Sequence, residues 1–565
     1  MTTYRVKKCA SARWTLVGLA TVAACFLPVT RAQLQIDSFG ANGLLSWSAL
    51  GGTGTQYAVE WASSVDGEWR TWQDAVAKLT GLGPTGTVAV PMFYRVVTPD
   101  RDYKSNATYS YYYQTLPTMK LPAKLASNEM RITFMGSMIP LPVRLAQAEM
   151  SVFVEVGWQE DMNDANYHGR AVDQFVFDCG AGVSANYAAA SVNFRRMDKV
   201  FINHLHGDHM NDLAHIYCFG PSGDRKSPLF VFGPGPSGVE NPTKPGTYYD
   251  DGTSNFCAMS RAAWRWHSES FSFQPTRYTN YAAPTKDSWG LPVEPVPVSD
   301  DPADDAYAMI PVQLNWTNIG GVAYHNSDTH VRITHYPVIH ARKGSIGYKL
   351  EWTPPGASKP LTMMYSSDTK PETNSVNLAC NNGDGVDVFV HEMVIPPDMW
   401  AWKQLGLNGQ PATNDAIYSM WLAASEELKR VQDSSHTPQG AYGYILSQIS
   451  PPPRLAVATH FPVADDTVAS AFNSVQAHCT NIVFGKDIVW SFDLMVLRVF
   501  PDHIEQLRAD VSDFAFSPQA QLPSGMYPPK YNTNGVGNPF AQIDLSTQIA
   551  WTNLDGTVNY RPDGY

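Results

Sequence analysis

Between positions 203 and 209 the chain reads Asn203-His204-Leu205-His206-Gly207-Asp208-His209, a cluster of three imidazoles and one carboxylate. Both groups are standard zinc donors, binding at about 2.0–2.2 Å. The apolar run Val200-Phe201-Ile202 before the cluster predicts a buried strand, and the stretch from Asp212 to Phe219 predicts a helix after it. His204 and His206 are two residues apart, so at a strand end they converge on one ion from the same side. Asp208 and His209 follow a turn that Gly207 permits, and so face a second ion. Two cations held this closely depress the pKa of a shared water and supply hydroxide near neutral pH. The chemistry expected of the cluster is hydrolysis.

His-x-His-x-Asp-His is the signature of the metallo-β-lactamase superfamily. The form here, His204-Leu205-His206-Gly207-Asp208-His209, resembles the branch that contains ribonuclease Z and the zinc-dependent arylsulfatases. The resemblance extends over residues 130–500. Phe177-Asp178-Cys179-Gly180 resembles the Asp-Cys-Gly turn that precedes the signature, and Leu229-Phe230-Val231-Phe232-Gly233-Pro234 a strand ending in Gly-Pro. The resemblance implies a metallo-β-lactamase αββα sandwich, an α+β fold, holding two Zn2+ per chain. It also implies the remaining donors. Val338-Ile339-His340, followed by Gly347-Tyr348-Lys349-Leu350, gives His340 to the first ion with His204 and His206. Leu455-Ala456-Val457-Ala458-Thr459-His460 gives His460 to the second ion with Asp208 and His209. Met364-Tyr365-Ser366-Ser367-Asp368-Thr369 gives Asp368 as the bridge, with Ser367 where the family often has Gly.

Two further runs resemble the ribonuclease Z-like branch: Val388-Phe389-Val390-His391-Glu392 and Ser435-His436-Thr437. They imply His436 as the acid that protonates the leaving oxygen and Glu392 as its orienting partner, with His391 structural. Asp208 has a second expected role, orienting or deprotonating the nucleophile. Substrate-binding residues are not fixed by any motif; Trp264, Trp266, His267 and Tyr278 are candidates because their rings suit an aryl leaving group.

These side chains need rigid strand ends to hold them. Arg131–Gly136, Ser151–Val156 and Gln174–Asp178 read as strands, and strands alternate with helices thereafter within a catalytic domain over 128–505. Residues 221–330 form a long Pro-, Gly-, Trp- and Tyr-rich insert of the kind that makes lids or binding loops. Residues 33–98 carry short β-rich runs separated by turns, as in the fibronectin- or immunoglobulin-like accessory domains of exported enzymes. These include Leu44–Trp47 after Asn42-Gly43, Tyr57–Trp61, Trp69–Trp72 and Phe93–Val97. Residues 99–127 read as a linker and 506–565 as a C-terminal surface extension.

The first 32 residues read as an export signal. Basic Arg5, Lys7, Lys8 and Arg13 precede an apolar run from Trp14 to Val29, with a cleavage site near Ala32. Val22-Ala23-Ala24-Cys25 is a lower-ranked lipidation alternative. The expected location is secreted or periplasmic, with no transmembrane segment once the signal is removed. Residues 1–32 hold five basic and no acidic side chains, so removing them takes the formal charge from −12 to −17. Such a chain repels polyanions, and no nucleic-acid partner is expected. Five cysteines remain, with no CxxC pair, and no disulfide framework follows from them. The expected activity is hydrolysis of a small-molecule ester, foremost an aryl sulfate. Phosphodiester, lactone or carboxylic-ester hydrolysis are the alternatives, and a surface binding protein with a relic metal site is the non-enzymatic one. Homo-oligomerisation is left open.

Overall fold

A computed structural model describes residues 112–511 apart from 114, 141–146, 161–168, 222–224, 226, 272–306 and 408. It also describes five strands between 33 and 97 and two short ones at 551–552 and 558–559. Two compact units are present, Met1–Thr108 and Tyr109–Tyr565. In the first, Gln33–Phe39, Leu44–Leu50 and Thr85–Ala89 form one antiparallel sheet, and Ala58–Ala62 pairs with Phe93–Val97. Trp47 is buried there. The expected export signal, Cys25, the Asn42-Gly43 turn, Trp69–Trp72 and Tyr278 lie outside the described residues.

The second unit is built on two large sheets. One has nine strands, in the order Met309–Leu314, Leu229–Pro234, Lys199–Phe201, Asp173–Phe177, Ser151–Val156, Met130–Gly136, Met495–Val499, Ile504–Asp510 and Thr118–Lys120. The other has seven: Gly321–Asn326, Val331–Pro337, Ile346–Trp352, Leu361–Tyr365, Val388–Glu392, Leu455–Thr459 and Ile488–Trp490. Met130–Gly136, Leu361–Tyr365, Val388–Glu392 and Leu455–Thr459 are buried at every position. A strand covered on both faces has no solvent side, so its sequence runs apolar instead of alternating. One apolar cluster draws on both sheets, with Val152, Phe201, Ile333 and Val390 among its members. A second, holding Phe389, Tyr442 and Val475, lies under helices Gln439–Gln448 and Asp465–His478. A third, holding Val176, Tyr187 and Ile216, lies under helices Val183–Ala189 and Leu213–Phe219. The layers are therefore helix, sheet, sheet, helix, a mixed α/β sandwich.

Each sheet has a parallel half. Asp173–Phe177, Lys199–Phe201, Leu229–Pro234 and Met309–Leu314 run parallel, as do Leu361–Tyr365, Val388–Glu392, Leu455–Thr459 and Ile488–Trp490. Parallel strands deliver their carboxyl ends to one edge, where ligands bind in α/β sheets. Just below that edge in the first sheet, Phe177, Phe201 and Phe232 stack in register, with centroids 5.1 and 4.3 Å apart. Tyr348 Oη of the opposite sheet donates to the Ile202 carbonyl at 2.9 Å, tying the two edges together.

Two expected boundaries differ in the structure. Thr118–Lys120, within the stretch read as linker, is an edge strand parallel to Ile504–Asp510, and that strand itself runs past the expected start of the C-terminal extension. Residues 221–330 hold strands Leu229–Pro234, Met309–Leu314 and Gly321–Asn326 and helices Thr253–Ala263 and Arg265–Phe271. All five cysteines of this unit are free thiols. Among the described residues no helix is long and apolar enough to cross a membrane.

Glu129 locks two of the central strands. Fully buried, it accepts from Arg131 Nε at 2.9 Å and from Arg498 Nε and Nη2 at 3.0 Å. Burial alone would raise this carboxyl, but the Arg498 and Arg131 guanidiniums outweigh it and hold Glu129 below the ordinary carboxylate range. A depressed carboxyl contributes stability above its unfolded pKa and loses it as pH falls through the folded one. Glu129→Gln should therefore lower stability at neutral pH by about 3 kcal/mol, since it strands a buried guanidinium. The gap from wild type should narrow as acid protonates Glu129. Thermal melts at neutral and acid pH check both; equal midpoints at neutral pH would refute the lock.

Candidate metal centre

Strand Lys199–Phe201 ends three residues before His204, and the helical turn Gly207–Met210, capped by His206, follows directly. Asp368 lies three residues past Leu361–Tyr365, and His460 immediately past Leu455–Thr459. His340 lies on the loop between Val331–Pro337 and Ile346–Trp352. The structure brings these donors into two groups, His204/His206/His340 and Asp208/His209/Asp368/His460.

In the first group His206 Nδ1 faces His204 Nε2 and His340 Nε2, each at 3.1 Å. In the second, Asp208 Oδ2 lies 3.3 Å from His209 Nε2 and 3.2 Å from His460 Nε2. Asp368 reaches both: Oδ1 is 3.4 Å from His209 Nε2, and Oδ2 is 3.4 Å from His460 Nε2 and 3.8 Å from His340 Nε2. Donors arranged tetrahedrally around zinc stand about 3.3 Å apart. The spacing fits a divalent cation in each group, with Asp368 between. Two buried atoms add to the fit: His209 Nε2 and Asp368 Oδ1 have no hydrogen-bond partner, which is costly unless a cation engages them.

The electrostatics agree. Burial, followed by its imidazole neighbours, holds His204 well below its ordinary value, so it stands as a neutral Lewis base. Burial also works against protonating His209 and His460, but Asp368 with Asp208 and other carboxylates overrides it. His209 is raised well above its ordinary value and His460 to about 10. Cations bound here would displace those protons, so metal loading is coupled to pH.

Outside the donors, a set of supports fixes each ring. Asp178, fully buried with φ 55°, takes His209 Nδ1 at 2.8 Å and accepts from Tyr365 Oη at 2.8 Å and Ser367 Oγ at 3.3 Å. Cys179 N donates to the His209 carbonyl at 2.7 Å. A Cβ on Gly180 would meet the Asp208 carbonyl at 2.1 Å, so only glycine lets the two segments touch. The Asp-Cys-Gly turn is thus a cradle for the signature, a role that its sequence alone does not display. Ser367 and His460 also have left-handed backbones, φ 54° and 58°. Ser367 adopts without glycine the conformation that glycine favours, and its hydroxyl bonds to Asp178. His340 Nδ1 bonds the Ser435 carbonyl at 2.8 Å, a support that no sequence signal marks.

His436 follows helix Tyr418–Ser435 directly, and its Nδ1 lies 2.8 and 3.1 Å from the two Glu392 carboxylate oxygens. Its ring is 4.9 Å from that of His340 and 5.6 Å from that of His460. Glu392 also stands 3.6 Å from His460 Nδ1 and accepts from Thr369 N. Burial opposes the charge on both partners, but each charge holds the other: His436 is raised and Glu392 lowered. With Nδ1 engaged, His436 keeps Nε2 for a substrate. His391 lies buried against Phe389 and Tyr442, its Nδ1 on the Glu392 carbonyl, in a packing role.

A pocket of ≈ 490 Å3 opens beside the first group, with His204, His206 and His340 in its wall. Trp264, Trp266 and His267 do not line it. Trp264 and Trp266 are exposed on the outer helices, and His267 bonds the Cys218 carbonyl at 2.8 Å. None of the three stands among the donor groups.

No protein-family model matches the chain. Ribonuclease Z of Treponema denticola is 34% identical over 65 residues, 12% of this chain and 21% of that protein. The chain spans about a fifth of the length of the curated ribonucleases Z and BN that it matches. Among solved structures, the metallo-β-lactamase fold protein YhfI from Bacillus subtilis is 12% identical with a TM-score of 0.35, covering 66% of this chain and 100% of that one. The short form of human tRNase Z is 15% identical with a TM-score of 0.35, covering 65% of this chain and 98% of that one. Seven donors drawn from four separate segments thus meet where the strand ends of the two sheets face each other, and the sequence likeness is to ribonucleases Z and BN over about a fifth of their length.

Proposed function

We propose that this protein is a dinuclear zinc hydrolase that cleaves a phosphate diester, with His436 delivering the proton to the leaving oxygen. The observation that carries the reading is the His436–Glu392 pair beside the two donor groups, His436 Nδ1 being 3.9 Å from Asp368 Oδ2. Nitrogen and carboxylate donors suit zinc. Two zinc ions held there would supply hydroxide near neutral pH and neutralise charge on the ester oxygens. Asp208 and Asp368 hold the donors around the nucleophile. Glu392 keeps His436 protonated and aimed, and His436 Nε2 gives its proton to the departing alkoxide or aryloxide. The likeness to ribonucleases, whose names make RNA their substrate, favours a phosphodiester.

The aryl sulfate ester remains the second reading, favoured by a formal charge of −12, which works against binding a long polyanion. Export, with cleavage near Ala32, belongs to the same proposal, and the N-terminal strands are read as a fibronectin- or immunoglobulin-like spacer. Side-by-side turnover of bis(p-nitrophenyl) phosphate, p-nitrophenyl sulfate, an aryl lactone and a short RNA tests the reading. The phosphate diester should exceed the sulfate at least about tenfold in kcat/KM. Faster sulfate turnover would replace the first reading with the second, and no turnover by zinc-loaded protein would leave only a binding role.

A further inference from the structure

We propose that the pocket beside the first donor group holds the retained arm of the diester, and that this arm is uncharged and carries a ring recognised by Tyr249 and Phe256. The proposal rests on the phosphodiester reading above. The pocket's wall combines His204, His206 and His340 with Tyr249, Phe256 and Leu205. Neither His436 nor Glu392 belongs to it. The leaving group must meet His436, so this cavity is not shaped around the leaving group. A sulfate monoester has one organic group, and that group departs; nothing is left to fill a second cavity. A phosphate diester has two, and the arm that stays on phosphorus needs room of its own. At ≈ 490 Å3 the pocket is far larger than a methyl arm requires and is of a size that encloses a small organic ligand.

The charges in the wall select for neutrality. The Arg342 guanidinium pairs with Asp251 and lies 5.1 Å from the Tyr249 ring centre. Asp251 is itself anchored, accepting from Ser237 N at 2.8 Å and Oγ at 2.7 Å. This chain of contacts fixes the Tyr249 ring while cancelling both charges. Two charged wall residues remain, Lys343 and Asp250, both exposed and of opposite sign. Apart from the cation that the three imidazoles would hold for the scissile phosphate, the side chains of the pocket thus carry no net charge with which to hold a second phosphate. Aromatic side chains held rigidly beside apolar Leu205 recognise a flat ring instead, at about 0.5–1.5 kcal/mol per ring pair beyond area burial.

The test keeps one leaving group and varies the other arm. Phenyl p-nitrophenyl phosphate and methyl p-nitrophenyl phosphate both release p-nitrophenolate. Wild type should favour the phenyl arm at least about tenfold in kcat/KM, mainly through KM, and Tyr249→Ala should collapse that ratio to within about threefold. Phe256→Ala provides a second variant, and competitive inhibition by phenyl phosphate against methyl phosphate gives a binding readout that should lose its preference in parallel. Equal rates for both arms in wild type, or a ratio that survives both substitutions, would overturn the pocket assignment while leaving the diester reading intact. Sulfate turnover without turnover of either diester would overturn both together.

Discussion

Asp208→Ala should leave a folded chain with almost no turnover. The carboxylate has a partner on each side, His209 Nε2 at 3.3 Å and His460 Nε2 at 3.2 Å, so its removal opens the second donor group on two faces. Losing a group one step removed from a metal ligand costs about 10–100-fold, and a direct donor should cost more than the upper figure. Metal analysis should fall from about two zinc equivalents toward one, because His204, His206 and His340 keep their own contacts. Circular dichroism separates this outcome from misfolding, since Asp208 lies in the four-residue turn Gly207–Met210 outside all three apolar clusters. Full activity with two bound metals would dismiss the arrangement proposed here.

The second large effect is selective. His436→Ala should slow esters with poor alkoxide leaving groups by about 10²–10⁴-fold and spare those that release nitrophenolate, which needs no proton. The pH dependence has a definite sign. Against the burial that opposes it, Glu392 raises His436 above the ordinary imidazole value of about 6.5, so the acid form persists at neutral pH and is lost as pH rises through the raised pKa. Wild-type rates on poor leaving groups should therefore fall on the alkaline side. That limb should vanish in His436→Ala and move to lower pH in Glu392→Gln, where the counter-charge is gone. A uniform loss across leaving groups would reduce His436 to a structural role.

Much of the centre is legible in the chain because each donor terminates or closely follows a run of apolar residues. The buried run Val200–Ile202, which ends strand Lys199–Phe201 before His204, and the doubly buried strand Leu455–Thr459 before His460 leave their mark as unbroken hydrophobicity. The supports are less visible. Asp178 looks like any turn carboxylate until its contacts with His209, Tyr365 and Ser367 appear, and two of those partners are far away in sequence. Ser435 acts through its backbone carbonyl, which no side-chain pattern encodes. The edge strand Thr118–Lys120 has three residues, too few for a period to register, so only its pairing with Ile504–Asp510 reveals it. The exposed rings at Trp264 and Trp266 mislead for the opposite reason: aromatic content signals burial or binding in general but not at which edge.

The junction at Ser435 and His436 has a consequence for how this protein can change over time. Two neighbouring residues at the tail of one 18-residue helix serve different duties, one gripping His340 of the first donor group and the other bearing the imidazole proposed as the acid. Drift of that tail would dim both duties at once. The solvent-exposed positions of the helix, Met420, Leu422 and Val431 among them, are free to diversify, whereas its final turn is bound to the donor groups as a hinge pin is to its frame.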